Sequence, residues 1–141
     1  MPDMSTPYES ADLLLRLYDM RREETMRKAR AWFGTFFPQS VQDITSVIQG
    51  EHSAWFRMVT SYWDMAASLA NHGAIDATMF NDANGEHVFI YAKLQPYLAE
   101  YRAKMGAPAY LAHVEQLVTG SPEGLAKLEG VKRRIAAMTQ K

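Results

Sequence analysis

The spacing of apolar residues along the chain predicts helices and no strands. Its strongest signal is a stripe of mostly apolar positions, three or four residues apart, which places side chains on one face of a helix. The other face of this segment carries small hydroxyl side chains and only two charges, Arg57 and Asp64. We therefore predict that a helix over residues 51–72 is central and packed on most sides. The stripe comprises His52, Trp55, Val59, Tyr62, Ala66 and Leu69.

A long helix is predicted at the N-terminus. Thr6 precedes Pro7, and Glu9 completes the spacing of a capping box, in which side chains satisfy free backbone N–H groups. No further glycine or proline occurs before Gly34, and Pro38 would stop the helix. The helix would then span about 30 residues and about 45 Å, against about 37 Å for the diameter of a compact domain of this length. We therefore expect a bend near Gly34, or an elongated or paired molecule.

Caps and breaks divide the rest of the chain into helices joined by short connections. Serine, aspartate and glycine favour helix ends because they satisfy or tolerate unpaired backbone groups there. The sequence therefore predicts an all-α, single-domain helical bundle of five to six helices over residues 1–141, with residues 1–6 and 139–141 frayed. The predicted starts and stops fall at Ser40, Gly50, Gly73, Asp76, Asn84–Gly85, Ala107–Pro108 and Ser121–Pro122.

Composition and charge narrow the classes of function. The chain has 141 residues, 48% of them hydrophobic, which suffices for a core of its own. Because it has no cysteine, a disulfide framework, a thiolate nucleophile and cysteine-held metal sites are excluded. The 15 basic residues nearly balance the 16 acidic ones, and residues 76–87, where a DNA-reading helix could lie, contain three acids and no Lys or Arg. We predict that nucleic acid is not a partner.

No segment has the pattern of a targeting signal or a membrane anchor. Residues 1–6 contain an acid and no basic region followed by an apolar run, unlike a secretory signal peptide. The most apolar stretches, residues 11–20 and 31–37, are far shorter than the ~20 residues of a membrane helix. We therefore expect a cytoplasmic protein with no membrane partner.

Side-chain patterns that carry chemistry are missing as well. A di-iron bundle needs Glu-x-x-His pairs, and none occurs in the chain. His52 and His87 each follow a glutamate directly, so the two side chains of each pair diverge by about 100° on a helix. A Gly-x-Ser-x-Gly nucleophile turn and a glycine-rich phosphate loop are both absent. We predict no catalytic residue, no metal and no cofactor.

Two polar or aromatic sets are candidates for binding. Aromatic side chains along the central stripe could fill the core or line a pocket between helices. Arg21 and Arg22, at the middle of the first helix, would form an internal network with Asp64 if the two helices pack antiparallel. Such a network would serve either fold specificity or ligand binding. The candidate ligand pocket comprises His52, Trp55, Tyr62, Asp64 and Tyr91.

The aromatic end of the first helix is a candidate self-association surface. Exposed aromatic patches mark interfaces between proteins, and the predicted helix is longer than its domain is wide. Both features favour a homo-oligomer. The surface comprises Trp32, Phe33, Phe36 and Phe37.

Several short phrases occur together between residues 13 and 117. They are Leu17 to Glu23, Ala29 to Phe33, Tyr62 to Ala67, Gly73 to Asp76, Asn84 to Glu86 and Ala92 to Tyr97. With them the chain resembles a family of small bacterial all-helical proteins that is classed only as a domain of unknown function. The resemblance implies an all-helical cytosolic protein, and it brings no activity, cofactor, substrate or site residue.

The predicted function is a non-catalytic protein-interaction or self-association module, whose partner the sequence does not identify. The alternative is a small-molecule-binding or enzymatic helical domain with an aromatic-lined pocket between helices. That alternative requires a cavity of roughly 300 Å³ or more.

Overall fold

The computed structural model of the chain describes residues 5–140. Within this range the backbone forms eight α-helices and no strand. The predicted all-α class is confirmed, and the predicted number of five to six helices is too low. The helices are α1 (Pro7–Arg21), α2 (Glu24–Gly34), α3 (Val41–Ile48), α4 (Ser53–Asn71), α5 (Ala77–Ala83), α6 (Glu86–Met105), α7 (Ala112–Thr119) and α8 (Pro122–Thr139).

The prediction of a single long N-terminal helix from Pro7 to about Phe37 is wrong. The chain leaves helical geometry at Arg22–Glu23, where the Glu23 carboxylate accepts hydrogen bonds from two backbone N–H groups at the start of α2. This break has a packing reason. Leu17 and Met26 are both buried, yet nine residues of continuous helix would place them on opposite faces. A turn between them lets α1 and α2 both direct apolar side chains inward.

Most predicted helix starts are confirmed. Thr6 forms the capping box of α1. The side chains of Ser40, Asp76 and Ser121 each accept a hydrogen bond from the backbone N–H three residues further on. Gly73 follows α4 with φ 80°, the left-handed conformation that glycine adopts after a helix at low cost. Local sequence therefore determines these boundaries.

The start of α7 differs from its prediction. Ala107–Pro108 lie in a turn, and α7 begins only at Ala112. The preceding Leu111 has φ 57° and provides no side-chain cap. Instead, the Asp64 carboxylate of α4 accepts hydrogen bonds from two backbone N–H groups at the start of α7, at 3.1 and 3.0 Å. A side chain from another helix therefore caps α7.

α4 is the central helix, as its sequence predicts. It packs against α2, α3, α5 and α7, and its Phe56, Trp63 and Ala66 are at most 1% exposed. One hydrophobic cluster takes buried side chains from all eight helices of the described range. One member from each, in helix order, is Leu17, Met26, Ile44, Phe56, Phe80, Val88, Val114 and Leu128.

α6 carries Lys93, the one buried Lys, Arg, Asp or Glu of residues 5–140, and α8 packs beside it. α6 is buried almost continuously from His87 to Leu94, and α8 packs against α6 and α7. No helix within residues 5–140 is long and apolar enough to cross a bilayer. The fraying predicted for residues 1–4 and 141 lies outside the described range.

Candidate functional site

A half-enclosed cavity of about 350 Å³ lies where the end of α2, the start of α6 and the last turns of α8 meet. We call it the Lys93 pocket. Its wall combines three cationic side chains, one carboxylate, three apolar side chains and two glycines. The lining residues are Arg30, Phe33, Gly34, Gly85, Glu86, Phe89, Ile90, Lys93 and Arg134.

Arg30 and Glu86 form one wall of the Lys93 pocket. The Arg30 Nε lies 3.1 and 3.0 Å from the two Glu86 carboxylate oxygens, and its Nη2 lies 2.7 Å from Oε1. Arg30 also donates to the carbonyl of Arg21, and the Trp63 indole N–H donates to Glu86 Oε2 at 2.9 Å. The hydrogen bond from Arg30 to Glu86 raises the pKa of the guanidinium. Both side chains are therefore held in fixed positions, and α2, α4 and α6 are joined by one polar cluster.

Lys93 is the most unusual side chain in the pocket. The residue is 6% exposed, and its Nζ donates to the carbonyl of Phe33 at 2.8 Å. Three phenyl rings surround the ammonium, with centroids 4.2 Å (Phe37), 5.4 Å (Phe33) and 5.7 Å (Phe89) from Nζ. No carboxylate of residues 5–140 pairs with it within 4 Å. Burial lowers the pKa of the amine to about 8, and the charge of Glu86 partly opposes this shift.

Arg134 supplies the third cation from α8. Its guanidinium lies over the Phe89 ring, 5.7 Å from the centroid. Since Glu86 pairs with Arg30, the lining residues leave the charges of Lys93 and Arg134 without a carboxylate. The start of α6 adds a partial positive charge, because its N-cap residue Gly85 has no side chain to satisfy the first N–H groups. The pocket is therefore electropositive.

The two glycines keep the pocket open. A Cβ atom added at Gly34 or at Gly85 would meet no heavy atom within 4 Å. Neither glycine has positive φ, so an L-residue could adopt the same backbone conformation at both positions. The open space at these glycines therefore offers a way to fill the pocket by substitution.

Part of the Lys93 pocket has a signal in the sequence that belongs to no catalytic or metal-binding motif. Glu86, Ile90 and Lys93 are spaced by four and three residues, which puts them on one face of α6. Lys93 lies between Ala92 and Leu94 in an otherwise apolar run, and a charge there indicates a buried polar group. Arg30 has no such signal, since it lies in the highly charged part of the first predicted helix.

The structure does not bring the five residues of the predicted aromatic pocket together. His52 stacks on Trp32 at 5.0 Å and lies beside Trp55 at 5.4 Å. Tyr91 donates to Glu115 at 2.9 Å. His52, Trp55 and Tyr91 line neither the Lys93 pocket nor the grooves of about 760 and 600 Å³ that contain Tyr62 and Asp64.

Tyr62 and Asp64, the other two members, line different grooves. The Tyr62 hydroxyl donates to the carbonyl of Leu17, and Tyr62 lines an open groove of about 760 Å³ between α1, α2 and α4. Asp64 lines an open groove of about 600 Å³ beside the turn that precedes α7. The aromatic stripe is therefore mostly core and helix-packing surface, and a ligand pocket built from these five residues stays a prediction that this geometry does not favour.

The internal network predicted around Asp64 is replaced by another one. Asp64 caps α7, whereas Arg22 pairs with Asp19 at 3.7 Å on the exposed surface. Arg21 donates to the Tyr62 hydroxyl at 3.4 Å. The Arg–carboxylate pair that joins helices in this part of the molecule is Arg30–Glu86.

The aromatic end of α2 is packed rather than exposed. Phe33 is 2% exposed, and Trp32, Phe36 and Phe37 are half-buried. Trp32 stacks on Phe36 at 5.4 Å, and Phe33 stacks on Phe56 of α4 at 5.6 Å. The premise of the predicted self-association surface, an exposed aromatic patch, is therefore not met. Self-association itself stays a prediction.

No group of three His, Asp or Glu side chains that could hold a metal ion is found among the residues that the structure describes. The profile of a family described as a domain of unknown function (DUF4760) matches residues 8–121. The match covers more than half of the chain, and the chain belongs to this family, as the resemblance of its short phrases predicts. No curated protein and no solved structure matches the chain. Residues 8–121 include the Lys93 pocket except for Arg134, which α8 supplies.

Proposed function

We propose that this domain binds a small anionic molecule in the Lys93 pocket. The observation that carries the proposal is the pair of cations, Lys93 and Arg134, that line one cavity without a carboxylate partner among residues 5–140. A buried ammonium without an anion is energetically costly. A carboxylate or phosphate group in the cavity would supply the missing charge.

The volume and the lining of the pocket limit which ligands would fit. Its volume of about 350 Å³ lies at the lower end of the range for small-molecule sites, which begins at roughly 300 Å³. Phe33, Phe89 and Ile90 form an apolar part of the wall, so the ligand should carry an apolar or aromatic body besides its anionic group. Arg30 is already held by Glu86, so its position does not have to be fixed when the ligand binds.

Calorimetric titration with benzoate and with inorganic phosphate tests the proposal. Benzoate should bind more tightly than phosphate because it also fills the apolar part of the wall. Lys93→Met and Arg134→Ala should each weaken benzoate binding about tenfold or more, which corresponds to the loss of one charged hydrogen bond of about 1.4 kcal/mol or more. Affinity should also fall above pH 8, where Lys93 loses its proton.

Substitutions at other positions separate the pocket from general charge effects. Gly34→Leu should abolish binding because its side chain enters the open space of the cavity, whereas Gly34→Ala should reduce binding much less. Lys104→Ala removes an exposed lysine of the same helix and should leave the affinity unchanged. Equal loss of binding in Lys104→Ala and Lys93→Met would show that only overall charge matters, and the proposal would then be wrong.

A second candidate function is self-association, through a surface other than the predicted one. Methionines line the open groove between α1, α2 and α4, and Met20 and Met65 are 53% and 39% exposed. Elsewhere on α1, Leu15 and Tyr18 are 68% and 51% exposed. A groove lined by exposed methionines favours a protein–protein contact, and we propose a second copy of the chain as the partner.

Light scattering at several protein concentrations tests this second candidate. A dimer mass at micromolar concentration that falls to the monomer mass in Met65→Glu would support it. A monomer mass throughout would remove it, and ligand binding in the Lys93 pocket would be unaffected by that result.

A further inference from the structure

We propose that Lys93 is a nucleophile that forms an imine with a small aldehyde or ketone carrying a carboxylate or phosphate group. The inference rests on the proposed function, because the anionic group of this molecule would be the one that the Lys93 pocket binds. The imine adds a chemical step to binding. The proposed ligands are then oxo acids, and aldehydes or ketones that carry a phosphate group.

The position of the amine is the first argument. Lys93 lines the cavity, and its Nζ is held by one hydrogen bond to the Phe33 carbonyl at 2.8 Å. The rings of Phe33, Phe37 and Phe89 surround it, and no carboxylate of the described chain stabilises its charged form through an ion pair. A lysine desolvated among apolar side chains is an environment that activates an amine for attack on a carbonyl.

The protonation state of the amine is consistent with this geometry. Its pKa of about 8 leaves about a tenth of the molecules with a neutral amine at pH 7, against roughly 0.03% at the ordinary value. Only the neutral form has the lone pair that attacks a carbonyl carbon. The pocket therefore raises the reactive fraction by about two orders of magnitude.

The remaining cations orient the ligand. Arg30 is held by Glu86, and the exposed Arg134 lies over the Phe89 ring. An anionic group bound by these two guanidinium groups would bring a neighbouring carbonyl carbon toward Lys93. In the reaction the nitrogen lone pair forms a bond to that carbon, and both protons of the neutral amine move to the carbonyl oxygen. The oxygen then leaves as water and the C=N bond remains. No oxidant or reductant is needed.

Reductive trapping of the intact protein tests the inference. The protein is incubated with glyoxylate and sodium cyanoborohydride at pH 7, and the modified lysines are located by peptide mass spectrometry. Glyoxylate should place a carboxymethyl group on Lys93 at least tenfold faster than on the exposed Lys104. Gly34→Leu should suppress modification of Lys93. Lys93→Met should lose the fast modification by glyoxylate, and Lys104→Met should retain it.

Three other outcomes overturn the inference. Modification of Lys93 and Lys104 at equal rates would show that the pocket gives no activation. Equally fast trapping of the neutral propionaldehyde on Lys93 would show that the anionic group has no role. If benzoate binds but no adduct forms on Lys93, the proposed function stands and the imine is ruled out. If benzoate does not bind and no adduct forms, the proposed function is wrong as well.

Discussion

Lys93 and His87 are two ionisable residues of α6 that lie where almost no water reaches them. Lys93 is held by a backbone carbonyl and phenyl rings. His87 is fully buried, lies between the rings of Trp63 and Phe80, and shares a 3.2 Å hydrogen bond between its Nε2 and Asn81 Oδ1. Its Nδ1 has no hydrogen-bond partner within residues 5–140. Burial lowers the pKa of both side chains, to about 8 for Lys93 and about 4 for His87. Each shift links stability to pH.

The first prediction concerns Lys93 at alkaline pH. The unfolded chain keeps the proton on this amine up to a pKa of 10.5, whereas the folded protein releases it near 8. Unfolding therefore takes up a proton between these values, and the free energy of unfolding should rise as the pH rises from 8 to 10.5, by up to about 3 kcal/mol. Lys93→Met should be more stable than the parent at pH 7 and should lack this part of the rise. Urea unfolding at pH 7, 8.5 and 10 measures both quantities, and parallel pH profiles would contradict the prediction.

The second prediction concerns His87 at acid pH. The unfolded imidazole binds a proton below a pKa of 6.5, whereas the folded protein resists protonation down to about 4, chiefly through burial and secondarily through the charge of Lys127. The stabilising effect of a neutral His87 is thus complete above pH 6.5 and decreases as the pH falls toward 4, by up to about 3 kcal/mol. His87→Leu should show a smaller acid loss in urea unfolding at pH 7, 5.5 and 4.5. His72→Gln, which removes an exposed imidazole, should retain the acid loss of the parent.

At the scale of the helices, tertiary contacts decide two helix boundaries that the local sequence pattern does not predict. The first is the break between α1 and α2, which allows Leu17 and Met26 to face the same core. The second is the start of α7, where Leu111 is the one non-glycine residue of the described chain with positive φ. Such a conformation costs about 1–3 kcal/mol and persists only where surrounding contacts impose it. Asp64 and the packing of α7 on α4 impose it here.

The third prediction tests the cap on α7. Asp64→Ala removes the acceptor for the backbone N–H groups of His113 and Val114, and should lower the free energy of unfolding by about 1–2 kcal/mol. Asp64→Asn keeps one carbonyl acceptor and should cost less. Asp82→Ala removes an exposed carboxylate of α5 and serves as the matched control. If Asp64→Ala and Asp82→Ala have equal denaturation midpoints, the cap contributes nothing measurable.

At the scale of the whole molecule, α8 belongs to the same core as the helices that match the family. It buries Leu128 and Val131 at 4% and 2% exposure, and it carries Arg134 to the Lys93 pocket. The family match ends at residue 121, just before this helix begins. We propose that the eight helices unfold as one unit, because a single hydrophobic cluster links them.

The fourth prediction is that removing residues 122–141 destabilises the rest of the chain. Each of the two buried side chains is worth about 1.5–3 kcal/mol, so the loss should be on the order of 3–6 kcal/mol, a large share of the 5–15 kcal/mol of an ordinary domain. The truncated chain should melt with low cooperativity in thermal circular dichroism and should not bind benzoate. Removing residues 140–141 alone should leave the transition unchanged. A truncated chain with the melting temperature of the full chain would show that α8 is an independent appendage.

The sequence predicts those helix boundaries that interactions within one helical turn decide. Capping boxes, glycine stops and the three-and-four spacing act within one helical turn, and they correctly predict the starts of α1, α3, α5 and α8 and the central place of α4. The α1–α2 break lies in a segment without glycine or proline, so no helix-breaking residue predicts it. Only the requirement that Leu17 and Met26 reach one core decides it.

The sequence by itself determined that this protein is a cysteine-free, all-helical domain, because helix periodicity and composition are properties of neighbouring residues. The tertiary structure decided which charges meet. Arg30 and Glu86 are 56 positions apart and Phe33 and Lys93 are 60 apart, so the pocket they form depends on how α2 packs beside α6. The packing of α4 against α7 makes Asp64 a helix cap, and the packing of α2 against α4 covers much of the aromatic end of α2. The Lys93 pocket comes from contacts between distant residues, whose free energies depend on burial that no local pattern encodes.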